Sequence, residues 1–202
     1  MAQPSQLIFL PGAGGRADFW KPVAQGLQHQ AKQKLFAWPG FGDAPVDPQV
    51  NGIDDLVAMV VAEIDQPSAL IAQSMGGVIA MQAALQRAEQ ITHLVLTATS
   101  GGVDFDGLHV EDWRAAALAA DPPLPRWFVD YRNDDLCTTL TAFQAPVLLL
   151  WGDADPISPV AVGERLLALL PHSQLHVVAG GKHDFASTHA ADIAPLIDAH
   201  LS

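Results

Sequence analysis

Cysteine is nearly absent from this chain: Cys137 is the only one in 202 residues. No intramolecular disulfide is possible, a pattern that fits a reducing cytoplasm. Positive charge is scarce too. Ten Lys and Arg stand against 22 Asp and Glu, for a formal net charge of −12. Residues 1–40 carry Arg16, Lys21, Lys32 and Lys34 against Asp18, a local +3, which leaves −15 for the remainder. No basic stripe emerges, which argues against nucleic acid and anionic membranes as partners. Long apolar runs are also missing; none approaches the ~20 residues that span a bilayer. Leu7-Ile8-Phe9-Leu10 has no basic region before it and stops at Pro11-Gly12, so it is not expected to be a signal peptide. No His, Cys, Asp or Glu spacing points to a metal. The loop Pro11-Gly12-Ala13-Gly14-Gly15 lacks the lysine of a phosphate-binding loop.

What is present is apolar mass. Half of the residues are hydrophobic, enough to build a sizeable core in one domain, with or without an insert. The apolar runs alternate with helical periodicity. Strands are predicted over 6–10, 34–38, 68–73, 93–98, 147–151 and 174–178. Helices are predicted over about 18–30, 53–65, 75–88, 159–170 and 187–200. Continuous Leu/Ile/Val strands separated by helices imply an α/β fold with a parallel sheet of about six strands, covered on both faces. In such sheets ligands bind beyond the carboxyl ends of the strands.

One joint at that edge stands out. Strand 68–73 runs into helix 75–88 with Ser74 between them, Ala72 two residues before it and Gly76 two after. A turn this sharp needs small neighbours and strains the residue at its apex. A serine there presents its hydroxyl at a helix N-terminus, where developing negative charge is favoured. Ser74 is therefore a candidate nucleophile. Ala98-Thr99-Ser100-Gly101-Gly102 matches the same relaxed pattern, but Ser100 is followed by glycines and aspartates that read as loop.

The other strand ends carry matching chemistry. After strand one comes Pro11-Gly12-Ala13-Gly14-Gly15, after strand five Gly152-Asp153-Ala154-Asp155-Pro156, and after strand six Gly180-Gly181-Lys182-His183-Asp184. A hydroxyl, a carboxylate and an imidazole thus share one edge of the sheet, in the chain order Ser, Asp, His.

Residues 101–145 break the rhythm and read as an insert between a core of 1–100 and 146–202. Two helices are predicted in it, 112–120 and about 132–143, with Asp121-Pro122-Pro123-Leu124-Pro125 as a rigid break. It holds Phe105, Trp113, Trp127, Phe128, Tyr131 and Phe143. These aromatics line an apolar pocket or form the insert's own small core; Trp127 and Phe128 are the leading pocket pair, with Trp113. Trp20 and Phe41, in loops at the sheet's carboxyl edge, are further pocket candidates. Eight acids and three arginines leave the insert at −5, which disfavours strongly anionic substrates unless an arginine points inward. Cys137 reads as a buried small residue.

These motifs resemble the α/β-hydrolase fold family over nearly the whole chain. Leu10-Pro11-Gly12-Ala13-Gly14-Gly15, Trp38-Pro39-Gly40-Phe41-Gly42, Ala72-Gln73-Ser74-Met75-Gly76-Gly77, Leu150-Trp151-Gly152-Asp153-Ala154-Asp155-Pro156 and Gly181-Lys182-His183 carry the resemblance. Departures are Pro11-Gly12 in place of His-Gly, Ala72 in place of the first elbow glycine, and N-terminal antiparallel strands expected to be reduced or absent. The resemblance implies a short helical cap at 101–145, Ser74 as nucleophile, His183 as base and Asp155 as orienting acid. Asp153 and Asp104 remain rivals for the acid. It further implies an oxyanion hole from the backbone N–H groups of Ala13 and Met75. Within the family the chain looks most similar to carboxylesterases of the pimeloyl-carrier-protein methyl esterase kind. The expected activity is hydrolysis of a small or medium ester or thioester with an apolar acyl part, with no cofactor or metal. The alternatives are C–C bond hydrolysis of diketone-like substrates and a non-catalytic ligand-binding relative. Oligomeric state is not legible.

Overall fold

A computed structural model describes residues 2–104, 107–108, 110–119, 124–132 and 136–202. Six strands, β1 (Gln6–Leu10), β2 (Lys32–Leu35), β3 (Ser68–Gln73), β4 (Ile91–Thr97), β5 (Val147–Gly152) and β6 (Ser173–Val178), pair in parallel in the order β2-β1-β3-β4-β5-β6. This is the α/β-hydrolase fold expected from the sequence. The interior strands β1, β3 and β5 are buried at every residue, whereas the edge strand β2 is exposed or half-buried throughout. That is the signature of a sheet covered on both faces.

Side-chain alternation along each strand sorts the core into two layers. Ile8, Leu10, Leu70, Ala72, Leu94, Leu96, Leu149 and Trp151 face one cluster, shared with α2 (Ile53–Glu63), α3 (Met75–Gln86) and α7 (Val160–Leu169). Leu7, Phe9, Ala69, Ile71, Val95, Leu148 and Leu150 face the other, with α1 (Lys21–Gly26) and α9 (Ala190–His200). The strand order reverses direction between β1 and β3. Loops leaving the two strands diverge there, and a crevice opens at their carboxyl ends.

Several boundaries differ from the sequence reading, each for a tertiary reason. The first helix was expected to reach residue 30 but is a 3-10 turn, Ala17–Trp20, followed by α1 ending at Gly26. Leu27 is extended, and the amides of Gln28 and His29 donate to the Asp198 carboxylate of α9 at 2.8 and 3.1 Å. That distant carboxylate replaces the helical acceptors. β2 begins two residues early, at Lys32, and Trp38 leaves the sheet, its backbone N–H donating to Gly15. The last predicted helix is split at His189 into α8 (Phe185–Thr188) and α9.

Between β4 and β5 the described residues form three short helices where two were expected: α4 (Arg114–Ala119), α5 (Arg126–Asp130) and α6 (Cys137–Leu140). Phe105, most of the Asp121–Pro125 break and the start of the second predicted helix lie outside the described residues. Among the described residues no helix is long and apolar enough to cross a membrane.

Candidate active site

Ser74 sits at the β3–α3 joint with φ 53° and ψ −122°. A non-glycine residue in this region costs about 1–3 kcal/mol and persists only where its surroundings hold it. The holding contacts are identifiable. The Ser74 N–H donates to the Thr97 carbonyl (3.0 Å), and the Thr99 hydroxyl donates to the Ser74 carbonyl (2.6 Å). A Cβ on Gly76 would lie 2.5 Å from the Leu10 and Pro11 carbonyl oxygens, and one on Gly77 would collide with the Thr99 side chain. Only glycine lets α3 start this close to β1. Ala72, paired in register with Leu10 on β1 and Leu96 on β4, is fully buried, so its methyl fits where a glycine was expected.

A hydrogen-bonded chain runs from this hydroxyl. Ser74 Oγ lies 3.0 Å from His183 Nε2, and His183 Nδ1 lies 2.8 Å from Asp155 Oδ2. Asp155 is 4% exposed, and its other oxygen accepts the backbone N–H groups of Ile157 and Ser158 at 2.9 and 3.1 Å. Both carboxylate oxygens thus have hydrogen-bond partners, and a buried carboxylate without such partners would be costly. Of the two rivals, Asp153 turns away: its carboxylate accepts the Gly180 N–H at 2.6 Å and ties the loop after β5 to the loop after β6. A Cβ on Gly181 would stand 2.9 Å from the Gly152 Cα, so the two loops meet backbone to backbone. Asp104 lies elsewhere, exposed, its carbonyl accepting from Arg165.

Three residues contribute contacts that the sequence reading missed. Gln73 is buried, and its side-chain N–H donates to the His183 carbonyl at 3.0 Å, linking the β3 end to the histidine loop. The indoles of Trp20 and Trp38 donate to the carbonyls of Leu10 (3.0 Å) and Pro11 (2.7 Å), just before Gly12. A buried indole N–H seeks an acceptor, and these two brace the loop after β1. The backbone N–H groups of Ala13 and Met75 have no acceptor among the described residues, and both residues line the cavity above Ser74.

That cavity measures about 990 Å³, at the upper end of the range for small-molecule sites. Ser74, His183, Val78, Trp113, Phe128 and Tyr131 are among its walls. Trp113 stacks on Phe128 (centroids 5.1 Å apart, planes 25°), so these two pocket candidates act as one surface. The other three do not line it. Trp20 is fully buried against Phe9 and Phe19, drawn there by its hydrogen bond to Leu10. Phe41, 1% exposed, lies edge-on to Phe128 and Trp127 and supports Phe128 from outside the cavity. Trp127 faces a second, smaller cavity of about 340 Å³ with Pro39, Val46 and Pro125. At the cavity rim Arg16 is paired with Asp18 (2.7 Å) and Asp43 (2.9 Å). The hydrogen bond to Asp18, with the charge of both acids, raises the guanidinium above its ordinary range; the same hydrogen bond holds the Asp18 carboxyl below its own.

Comparison with known proteins gives a consistent picture. A profile described as the alpha/beta hydrolase family matches residues 7–142. A pimeloyl-[acyl-carrier protein] methyl ester esterase from Aliivibrio salmonicida is 30% identical, across 89% of this chain and 85% of that protein. The polyketide synthase ThaQ from Burkholderia thailandensis is 24% identical across 97% of this chain, which spans only 12% of that protein's length. Among solved structures, the 2-hydroxy-6-oxo-6-phenylhexa-2,4-dienoate hydrolase from Rhodococcus sp. strain RHA1 superimposes with a TM-score of 0.80. It is 20% identical, with 98% of this chain and 90% of that one covered.

Proposed function

The chain belongs to the alpha/beta hydrolase family, and from that premise we propose that it is a serine hydrolase cleaving a small or medium carboxylic ester or thioester. The observation that carries the reading is the unbroken chain Asp155–His183–Ser74, at 2.8 and 3.0 Å, beneath a cavity walled by Trp113 and Phe128. A serine hydroxyl is a weak nucleophile until a base takes its proton. His183 Nε2 is within reach to do so, while Asp155 holds the tautomer that leaves Nε2 free and stabilises the imidazolium as it forms.

Ser74 Oγ attacks the carbonyl carbon and its proton passes to His183 Nε2. Negative charge develops on the carbonyl oxygen, and the unengaged N–H groups of Ala13 and Met75 are its donors. One such donor contributes about 3 kcal/mol in enzymes where it has been removed. The tetrahedral adduct collapses, the bond to the leaving alcohol or thiol breaks, and His183 returns the proton to that group. Water then enters, gives its proton to His183, attacks the acyl carbon and releases the acid, and Ser74 recovers its proton. The aromatic wall favours an apolar acyl part, and the sequence similarity to a methyl ester esterase favours an ester bond.

A panel of esters and thioesters of graded acyl length, run with wild type and Ser74→Ala and paired with a fluorophosphonate probe, tests this reading. Turnover and labelling are expected in wild type and neither in the variant. Full esterase activity in Ser74→Ala would overturn the mechanism. Turnover of a vinylogous diketone with aryl esters untouched would move the reaction to C–C bond hydrolysis. No labelling and no turnover would mark a non-catalytic binding protein.

A further inference from the structure

The 101–145 segment contains three arginines, and their surroundings differ. Arg126, exposed, pairs with Asp130 at 2.8 Å. Arg132 donates to the carbonyls of Val129, Asp130 and Tyr131. Arg114 stands at the start of α4 and lines the same cavity as Ser74 and His183. Its Nε is buried without a hydrogen-bond partner among the described residues. A terminal nitrogen makes a long ion pair with Asp112 at 3.8 Å, beyond hydrogen-bond length; the Arg114 side chain is 35% exposed and that of Asp112 72%. That same Asp112 oxygen already accepts the backbone N–H of Arg114 at 3.0 Å, so it serves the helix start. The guanidinium carbon lies over the Trp113 ring at 4.9 Å from its centroid, beside the aromatic wall that Trp113 shares with Phe128.

A guanidinium offers five N–H donors in a rigid fork matched to a carboxylate. Native structures rarely leave a buried donor unused without a reason. Lys182, exposed on the same rim and free of ion pairs among the described residues, adds positive charge. The cavity lining holds Arg16, Arg114 and Lys182 against Asp18 and Asp184, a local excess of one positive charge in a protein of net charge −12.

We propose that Arg114 forms an anion subsite, and that the substrate is an ester bearing a carboxylate remote from the scissile bond. This refines the hydrolase reading and rests on it. The aromatic wall covers the apolar spacer and the guanidinium holds the carboxylate. Arg114 is a specificity residue: it takes no part in bond making.

The test compares matched esters in wild type, Arg114→Gln and Arg114→Lys, with folding checked by circular dichroism. Monomethyl adipate against methyl hexanoate places the carboxylate on the acyl side. The acetate ester of a hydroxyhexanoate against hexyl acetate places it on the leaving group. In wild type at least one charged ester is expected to exceed its neutral partner about tenfold in kcat/KM, mostly through KM. Arg114→Gln should erase that ratio, and Arg114→Lys should restore part of it, as a point charge replaces a fork. A wild-type ratio at or below one for both pairs, or a ratio unchanged in Arg114→Gln, overturns the subsite. Calorimetric titration with adipate and hexanoate provides a readout without turnover. Adipate bound by wild type and lost in Arg114→Gln, with no ester hydrolysed, would retain the subsite and reject the hydrolase reading. Ester hydrolysis without charge preference would do the reverse.

Discussion

The carboxyl edge of the sheet and the segment between β4 and β5 meet at one cavity but are built differently. At the sheet edge each candidate residue is held by directional hydrogen bonds. Ser74 is clamped by Thr97 and Thr99, Asp155 by the amides of Ile157 and Ser158, and His183 by Gln73 from the adjoining β3 end. In the 101–145 segment the helices are four to six residues long, too short to be stable without packing. Their contacts on the cavity are rings on rings, Trp113 on Phe128 and Phe41 behind it. The difference teaches a division of labour: hydrogen bonds at the sheet edge orient the candidate polar groups, whereas stacked rings shape a volume.

Breaking the sheet edge should have the largest effects. Ser74→Ala is expected to lower ester turnover by at least about 10⁴-fold while leaving the circular dichroism spectrum intact, as serine-hydrolase nucleophile deletions do elsewhere. Asp155→Asn should cost about 10³- to 10⁴-fold in kcat, because an amide favours the wrong imidazole tautomer. Asp153→Asn, which weakens the hydrogen bond from the Gly180 N–H, should reduce stability by about 1 kcal/mol and kcat little. Equal losses in the two variants would remove the distinction drawn between these carboxylates.

The far end of the sheet supplies a contrast in stability. His93 on β4 is buried against His200, and burial together with that neighbour pushes its pKa down to about 4. Between pH 6.5 and 4 the unfolded chain therefore binds a proton that the folded state refuses. Stability should be full above pH 6.5, fall as pH drops to about 4, and then level off, a loss of up to about 3 kcal/mol. Denaturant melts of wild type and His93→Gln across this range check it; an unchanged acid slope in the variant would assign the effect to other groups.

Trp38→Phe keeps one aromatic ring at this buried site but removes the indole N–H that donates to the Pro11 carbonyl. It should lower stability by about 1–3 kcal/mol and lower kcat more than it raises KM, since the Ala13 loop loosens. Phe128→Ala, in the stacked wall, should instead shift the preferred acyl length and change kcat/KM about tenfold, carried by KM. A kcat effect in Phe128→Ala as large as that of Trp38→Phe would collapse the division between the two regions.

Much of the fold was legible because it is written in local pattern. The continuous apolar runs at β1, β3 and β5 and the helical spacing of Leu56, Val57 and Val60 report burial directly. That Ser74, a carboxylate of the loop after β5 and His183 share one edge was legible because a parallel sheet sends every strand's carboxyl end there. Pocket aromatics were not. Trp20 and Trp113 look alike in sequence, yet one is buried against Phe9 with its N–H on Leu10 and the other walls the cavity. Gln73 gave no signal, since its partner carbonyl lies 110 residues away.

From the sequence alone came the layer architecture, the strained serine joint and the set of groups available at the sheet edge, because short-range periodicity and turn chemistry act within a few residues. Tertiary structure alone decided that Asp155 and not Asp153 meets His183, that the Gln28 and His29 amides after α1 turn to Asp198, and that Arg114 lines the cavity with its Nε unpartnered among the described residues. Those outcomes depend on which distant groups compete for one donor or acceptor, and that competition exists only once the chain has folded.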